Sequence, residues 1–256
     1  MKKLVVNIAL ISVLAILCIT LVVVNTASNR SRSGKTCQGV VVEFADDFNF
    51  VTQEDIDGYL HKFYGSVSGA HVDSVNLAKI EKILDIQSAI LKSEAYMGED
   101  GILNIRITQR EPVVRFQKGD NGFYADERGF IFPLQRNYTS MVPVIDGEIP
   151  LVHASGYKGK PQGEKEQKWM AEVMDLIVFL NKNRQWSENI VQISVGRNGD
   201  LTMIPREGKE KFIFGECTGI EEKFARIEKY YQYIKPQGKD YGTVIVKYEN
   251  QIVCRK

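Results

Sequence analysis

The pattern of apolar and polar positions changes twice along the chain. Leu4 to Val24 is a run of 21 residues without a charge, interrupted only by the polar Asn7, Ser12 and Thr20. From Gly39 the pattern turns mixed. Val40 to Phe44 reads as a strand. Thr52 is a helix N-cap with Glu54 and Asp55 in the first turn, and the helix it opens runs from Gln53 to Phe63 with Ile56, Tyr59, Leu60 and Phe63 on one face. Asn76 caps a second helix, Leu77 to Leu84, striped by Leu77, Ile80, Ile83 and Leu84. Ile86 to Met97 gains strand character near its end, Gly98 to Gly101 is a turn, and Ile102 to Thr108 alternates as a strand. The first part therefore orders as strand, helix, helix, strand, strand.

The second part is richer in short strands. Phe116, Gly122 to Asp126, Gly129 to Phe132 and Val142 to Ile145 lie between turns. Glu164 to Asn183 is a helix with Trp169, Val173, Leu176, Ile177 and Leu180 on one stripe. Ile190 to Val195 and Leu201 to Ile204 flank Gly196-Arg197-Asn198-Gly199-Asp200, a hairpin signal. Lys211 to Phe214 is a strand, and Ile220 to Ile234 is a helix that stops at Pro236. Thr243 to Tyr248 alternates, with Val244, Val246 and Tyr248 on one face and Thr243, Ile245 and Lys247 on the other. Glu249-Asn250 is a turn, and Gln251 to Arg255 is a last strand.

At about 1.5 Å per residue, the Leu4 to Val24 run covers roughly 30 Å as a helix, the thickness of a bilayer core. A cleaved signal peptide has a shorter apolar stretch, and Asn25-Thr26-Ala27-Ser28 is a weak cleavage site. A retained anchor is expected, its apolar surface supplied by Leu4, Leu10, Leu14, Leu17, Leu21 and Val24. Lys2 and Lys3 flank one side, and Arg30, Arg32 and Lys35 the other, so charge does not orient the span. The three-residue head has the layout of a signal anchor, which puts the N-terminus inside the cytoplasm and the bulk of the chain outside. The expected organisation is a head at 1–3, a transmembrane helix at 4–24, a linker at 25–38, a first domain at 39–112 and a second at 113–256. The fold class is α+β, with a mixed β domain flanked by helices at the end.

Composition narrows the function. With 33 basic and 32 acidic residues, the net charge of +1 gives no basic face for nucleic acid. Cys18, Cys37, Cys217 and Cys254 are scattered with no C-x-x-C pair, so they read as isolated thiols, with a Cys217–Cys254 bridge left open. His61, His71 and His153 stand in no metal-ligand spacing. Ser68, His71 and Asp73 share one loop, where triad geometry rarely forms. Gly34-Lys35-Thr36 ends like a phosphate loop, but the glycine required five positions earlier is Asn29. No catalytic, cofactor or metal residue is assigned.

Ile107-Thr108-Gln109-Arg110-Glu111-Pro112-Val113-Val114-Arg115-Phe116, followed by Gly122-Phe123-Tyr124-Ala125-Asp126-Glu127-Arg128-Gly129-Phe130-Ile131-Phe132-Pro133-Leu134, resembles the FtsQ/DivIB family of bacterial division proteins. The closing Val246-Lys247-Tyr248 resembles that family's last-strand pattern, whereas Ser155 to Glu188 carries no match. The resemblance implies that the strand-helix-helix-strand-strand unit is a POTRA domain, ended by the R-E-P sequence, and that the D-x-x-G hairpin opens the β domain. It also implies a scaffold without catalysis in the cytoplasmic membrane at the division septum. Its partners would be FtsL-type and FtsB/DivIC-type proteins, acting on septal peptidoglycan synthesis. The C-terminal edge is the expected partner site, comprising Val246, Lys247, Tyr248, Gln251, Ile252 and Val253, with Lys247 facing an acidic partner residue. A second edge is expected on the POTRA unit at Val40, Val42 and Phe44. The alternatives are a membrane-anchored cell-wall enzyme, and a POTRA-bearing envelope assembly factor, which would carry tandem POTRA units or a barrel.

Overall fold

The computed structural model describes residues 13–23, 34–135, 138–151 and 156–256. Residues 13–23 form an exposed apolar helix, α1, which includes Leu14, Leu17 and Leu21. Leu4, Leu10, Val24, the head at 1–3 and residues 25–33 of the expected linker lie outside the described residues. Among the described residues, no helix is long and apolar enough to cross a membrane. The chain divides into two compact units, Met1–Asp47 with Val51–Gln109, and Phe48–Phe50 with Arg110–Lys256. The division after Gln109 comes three residues before the expected boundary.

Residues 34–38 belong to the first unit and are not free linker. Cys37 is buried, its N–H donates to the Ala70 carbonyl (2.8 Å), its own carbonyl accepts from Gly69 N–H (2.8 Å), and Thr36 bridges His71. Backbone pairing to a distant loop needs no apolar periodicity, so the pattern alone could not reveal it.

In the first unit, β1 (Gly39–Phe44) pairs parallel with β3 (Ile102–Gln109), which pairs antiparallel with β2 (Ile90–Met97). Helices α2 (Gln53–Phe63) and α3 (Leu77–Asp85) precede β2, as expected. The α2 start is a capping box: Thr52 Oγ1 accepts from Asp55 N–H (3.3 Å), and Asp55 Oδ2 accepts from Thr52 N–H (2.9 Å). Ile56, Leu60, Ile80, Ile83 and Leu84 of the helices are buried, as are Leu103, Ile105 and Ile107 of β3. Buried Gln109 ties the end of β3 down, donating to Asp46 and accepting from Val51 N–H (2.9 Å).

In the second unit, nine strands of the described residues form one sheet. In chain order they are β4 (Val114–Lys118), β5 (Asn121–Ala125), β6 (Ile131–Pro133), β7 (Val144–Gly147), β8 (Ile190–Val195), β9 (Leu201–Pro205), β10 (Lys211–Gly215), β11 (Thr243–Ile245) and β12 (Val253–Arg255). Their order across the sheet is β12-β11-β10-β9-β8-β7-β4-β5-β6. The pairs β4·β7, β7·β8 and β10·β11 are parallel, so each needs a crossover. Helices α4 (Glu164–Lys182) and α5 (Arg184–Asn189) lie in the β7 to β8 connection, and α6 (Ile220–Lys229) in the β10 to β11 connection. One core unites Val173, Leu176, Ile177 and Leu180 of α4 and Phe224 and Ile227 of α6 with Phe116, Ile145, Ile193, Met203, Phe212 and Phe214 of the strands.

Two expectations are corrected here. The short helix α5 was not anticipated, because it continues α4 after a one-residue break at Asn183. The last helix does not stop before Pro236. After Lys229 it widens into a π-turn, Tyr230–Ile234, and then tightens into a 3₁₀ turn, Lys235–Gln237, ending at Gly238 with φ +73°. Pro236 is tolerated because the first turn of a new helical segment has no use for its missing N–H.

The start of the second unit is fixed by a buried ion pair. Arg110 Nη1 donates to Asp126 Oδ2 at 2.5 Å, with side chains 10% and 6% exposed, and the guanidinium stacks 3.8 Å over the Phe130 ring. Asp126 Oδ1 accepts from the N–H groups of Arg128 and Phe130, both at 2.9 Å, and Gly129 adopts φ +69° to close the turn between β5 and β6. Both tryptophans, Trp169 and Trp186, lie in this unit, so their fluorescence reports it selectively. Asp126→Ala should destabilise it by about 3–5 kcal/mol in urea unfolding followed by tryptophan fluorescence, because it strands a buried guanidinium. A loss below about 1 kcal/mol, the scale of an exposed pair, would show that the pair does not hold this region.

Candidate functional site

The two ends of the nine-stranded sheet differ. At one end, β6 is covered: Ile131 and Gly159 exchange two backbone hydrogen bonds (2.8 and 2.9 Å), and Pro133 withholds a donor. At the other end, β12 pairs only with β11, through Thr243–Arg255, Val244–Cys254 and Ile245–Val253, and its outer flank faces no strand among the described residues. The expectation of an edge formed by the last strand agrees with this topology.

The six expected partner residues divide into three groups. Strand β11 is shorter than the alternation implied and stops at Ile245. Val246 is fully buried in the core, its N–H donating to the Ile213 carbonyl (3.0 Å) and its carbonyl accepting from Arg226 Nε (2.9 Å). Its side chain serves the fold. The chain then leaves the strand, so Tyr248 does not share a face with Val244 and is 45% exposed. The turn at Glu249-Asn250 is present, with Asn250 at φ +55° in the left-handed region that asparagine tolerates. Gln251 is exposed, and Ile252 and Val253 are half-buried. Gln251, Ile252 and Val253 thus lead into the open edge strand, and Tyr248 stands before the turn that precedes it.

Lys247 is already engaged. Its Nζ donates to Asp200 Oδ2 at 2.7 Å, from the turn between β8 and β9, and lies 5.5 Å from the Tyr248 ring. Asp200 accordingly titrates below the usual aspartate range, chiefly because of that hydrogen bond, and Lys247 titrates above the usual lysine range for the same reason. The pair's contribution is fully present between the ordinary aspartate and lysine pKa values, and is lost as pH falls through the lowered Asp200 pKa or rises through the raised Lys247 pKa, so it is intact at neutral pH. Gly215 makes room for Lys247: it sits at φ +80°, and a Cβ there would come within 2.8 Å of Lys247 Cβ. Asp200, Gly215 and Arg226 were not singled out in the sequence. Asp200 and Arg226 contact residues 47 and 20 positions away, so no local pattern marks them.

The first unit also has two sheet edges, and one is covered. Glu81 and Asp85 of α3 accept from the N–H groups of Ala95 (2.8 Å) and Ser93 (2.7 Å) on β2. No strand covers the outer flank of β1 among the described residues. Val40, Val42 and Phe44 are half-buried on β1, while Val41 and Glu43 are the exposed positions.

Among the described residues, no group of three His, Cys, Asp or Glu side chains is placed to hold a metal ion. The cysteines are free thiols, and burial pushes Cys217 up to about 12, far from thiolate reactivity. Burial also lowers Lys223, whose Nζ donates to the Glu216 carbonyl (2.7 Å).

Comparison with known families finds two matches. A model described as a POTRA-like domain matches residues 35–108, which includes the residues built in ahead of β1. A model described as FtsQ/DivIB, C-terminal related, matches residues 111–255, more than half of the chain. Comparison with curated proteins finds no match. Taken with a strand-helix-helix-strand-strand unit followed by a sheet ending in an open C-terminal strand, the matches point to a cell-division protein: the chain belongs to the FtsQ/DivIB family.

Proposed function

We propose that this chain is a non-catalytic scaffold of the bacterial division machinery. It is held in the cytoplasmic membrane by residues 4–24, with the N-terminus inside and the rest extracytoplasmic. It binds FtsB/DivIC-type and FtsL-type proteins, and through them helps recruit and regulate the septal peptidoglycan synthase complex. The observation that carries this reading is the asymmetry of the nine-stranded sheet, covered at β6 and, among the described residues, open at β12. An open edge accepts a partner strand through main-chain hydrogen bonds, while side chains supply selectivity. Tyr248, half-exposed beside that edge, offers the aromatic area that often anchors an interface. The anchor is supported by the uncharged 4–24 run and by the exposed apolar helix over 13–23.

The open flank of β1 supports a second docking role for the POTRA-like unit, since α3 leaves β2 less available. A chain lacking Gly39 to Gln109 but keeping the rest should lose midcell banding of a fluorescent fusion. Normal banding would remove the docking role from this unit.

Two further outcomes test the main reading. Truncation after Asn250, or Tyr248→Ala with Lys247→Glu, should weaken binding of the FtsB/DivIC-type partner by about tenfold or more while circular dichroism stays unchanged. Unchanged affinity of the folded truncation would put the site elsewhere. A reporter fused after Lys256 should be active only if it works outside the cytoplasm; cytoplasmic activity would reverse the orientation and end the division reading.

A further inference from the structure

Lys247 was the cation expected to meet an acidic partner residue, but Asp200 neutralises it. We propose instead that Arg226 and Lys229 of α6 are the carboxylate-binding cations of this edge, and that they select an extended acidic segment lying along β12. The proposal rests on the reading that β12 accepts a partner strand.

The faces of β12 support it. The Val244–Cys254 register puts Ile252 and Cys254 on the side that packs, half-buried, against the helix-covered core. On that side a groove of about 470 Å³ runs between α6 and the segment leading into β12, lined by Ala225, Arg226, Lys229, Gln251 and Ile252. It continues past Glu222, Arg226 and Asn250 into a hollow of about 700 Å³ beside Lys247. The hollow holds three cations, Lys223, Arg226 and Lys247, against four acids, Asp200, Glu216, Glu222 and Glu249, so it does not favour an anion. The groove holds two cations, Arg226 and Lys229, against the single acid Glu222. Arg226 is also pre-oriented, because its Nε is held by the Val246 carbonyl at 2.9 Å, which fixes the plane of the guanidinium fork. The exposed Arg255 and Lys256 add to the same positive field.

A strand added beside β12 would project alternate side chains onto the helix side. One carboxylate among them would meet the Arg226 fork, where charge-assisted pairing is strongest, and apolar neighbours would cover Ile252 and Cys254. The partner segment is therefore expected to alternate acidic and apolar residues on its helix-facing side.

The test uses the full chain in detergent and the extracytoplasmic region of the FtsB/DivIC-type partner, with affinity measured as a function of salt. Arg226→Glu and Lys229→Glu should each weaken binding about tenfold or more and flatten the salt dependence. Replacing an exposed ion pair that lies outside the edge and the groove, Arg184→Met with Glu188→Gln, should change affinity by less than about threefold. Reversing one acidic residue of the partner segment to arginine should restore binding to Lys229→Glu. Because Arg226 also bonds the backbone, Lys229→Glu, at an exposed position, decides the matter if Arg226→Glu fails to fold. If truncation after Asn250 abolishes binding but Lys229→Glu and folded Arg226→Glu leave affinity and salt dependence unchanged, this assignment is overturned and the edge reading survives. If the truncation itself does not weaken binding, the edge reading fails and takes this assignment with it.

Discussion

The second unit depends on the neutralisation of one buried charge. Arg110 carries a charge that is largely cut off from water, so it requires a carboxylate, and Asp126 supplies one at 2.5 Å. The same carboxylate holds the turn between β5 and β6 through two N–H groups, and the turn brings Phe130 under the guanidinium. Val113 N–H then bonds the Ala125 carbonyl, and β4 is in register with β5. Strand β7 is added to β4, and each further strand toward β12 to the one before it, so the pair at the head of the unit secures the start of the sheet that ends in β12. Buried Phe50 joins the same region, meeting Tyr124 and Phe132 edge-on, which explains why Phe48–Phe50 group with this unit.

Management of sheet edges links the fold to its role. A protein that assembles with others by strand addition must leave some backbone unpaired, at the risk of indiscriminate pairing. Here the protection is selective. Two acids of α3 cover β2, and Gly159 covers β6. Among the described residues, the edges left without a strand are β1, with six residues, and β12, with only three. A short edge such as β12 limits what main-chain pairing alone can do, so in the proposed docking role the side chains beside it would carry much of the discrimination.

The immediate surroundings of β12 combine rigidity and charge. Val246 anchors the chain in the core just after β11, Gly215 and Asp200 hold Lys247, and Asn250 turns the chain back into β12. The result is a fixed rim next to α6, so a partner would meet a preorganised surface, which lowers the cost of ordering on binding.

Local codes in the sequence were sufficient for α2, α3 and α4 and for the turn between β8 and β9. Thr52 and Asn76 cap α2 and α3 at the expected residues, the strand-helix-helix-strand-strand order follows from periodicity, and Gly196 to Asp200 turns β8 into β9. Family resemblance was legible too, because its motifs lie at structurally demanding places, the buried Arg110 and the Asp126 turn. Tertiary structure alone decided the rest. The parallel pairing of β4 with β7 and of β7 with β8, the early end of β11 at a buried Val246, the inclusion of Cys37 in the first unit and the pairing of Lys247 with Asp200 all join residues far apart in the chain. Alternation reports which face a residue occupies when it is in a strand, but not which strand lies beside it or where a neighbouring element draws the chain out of the sheet.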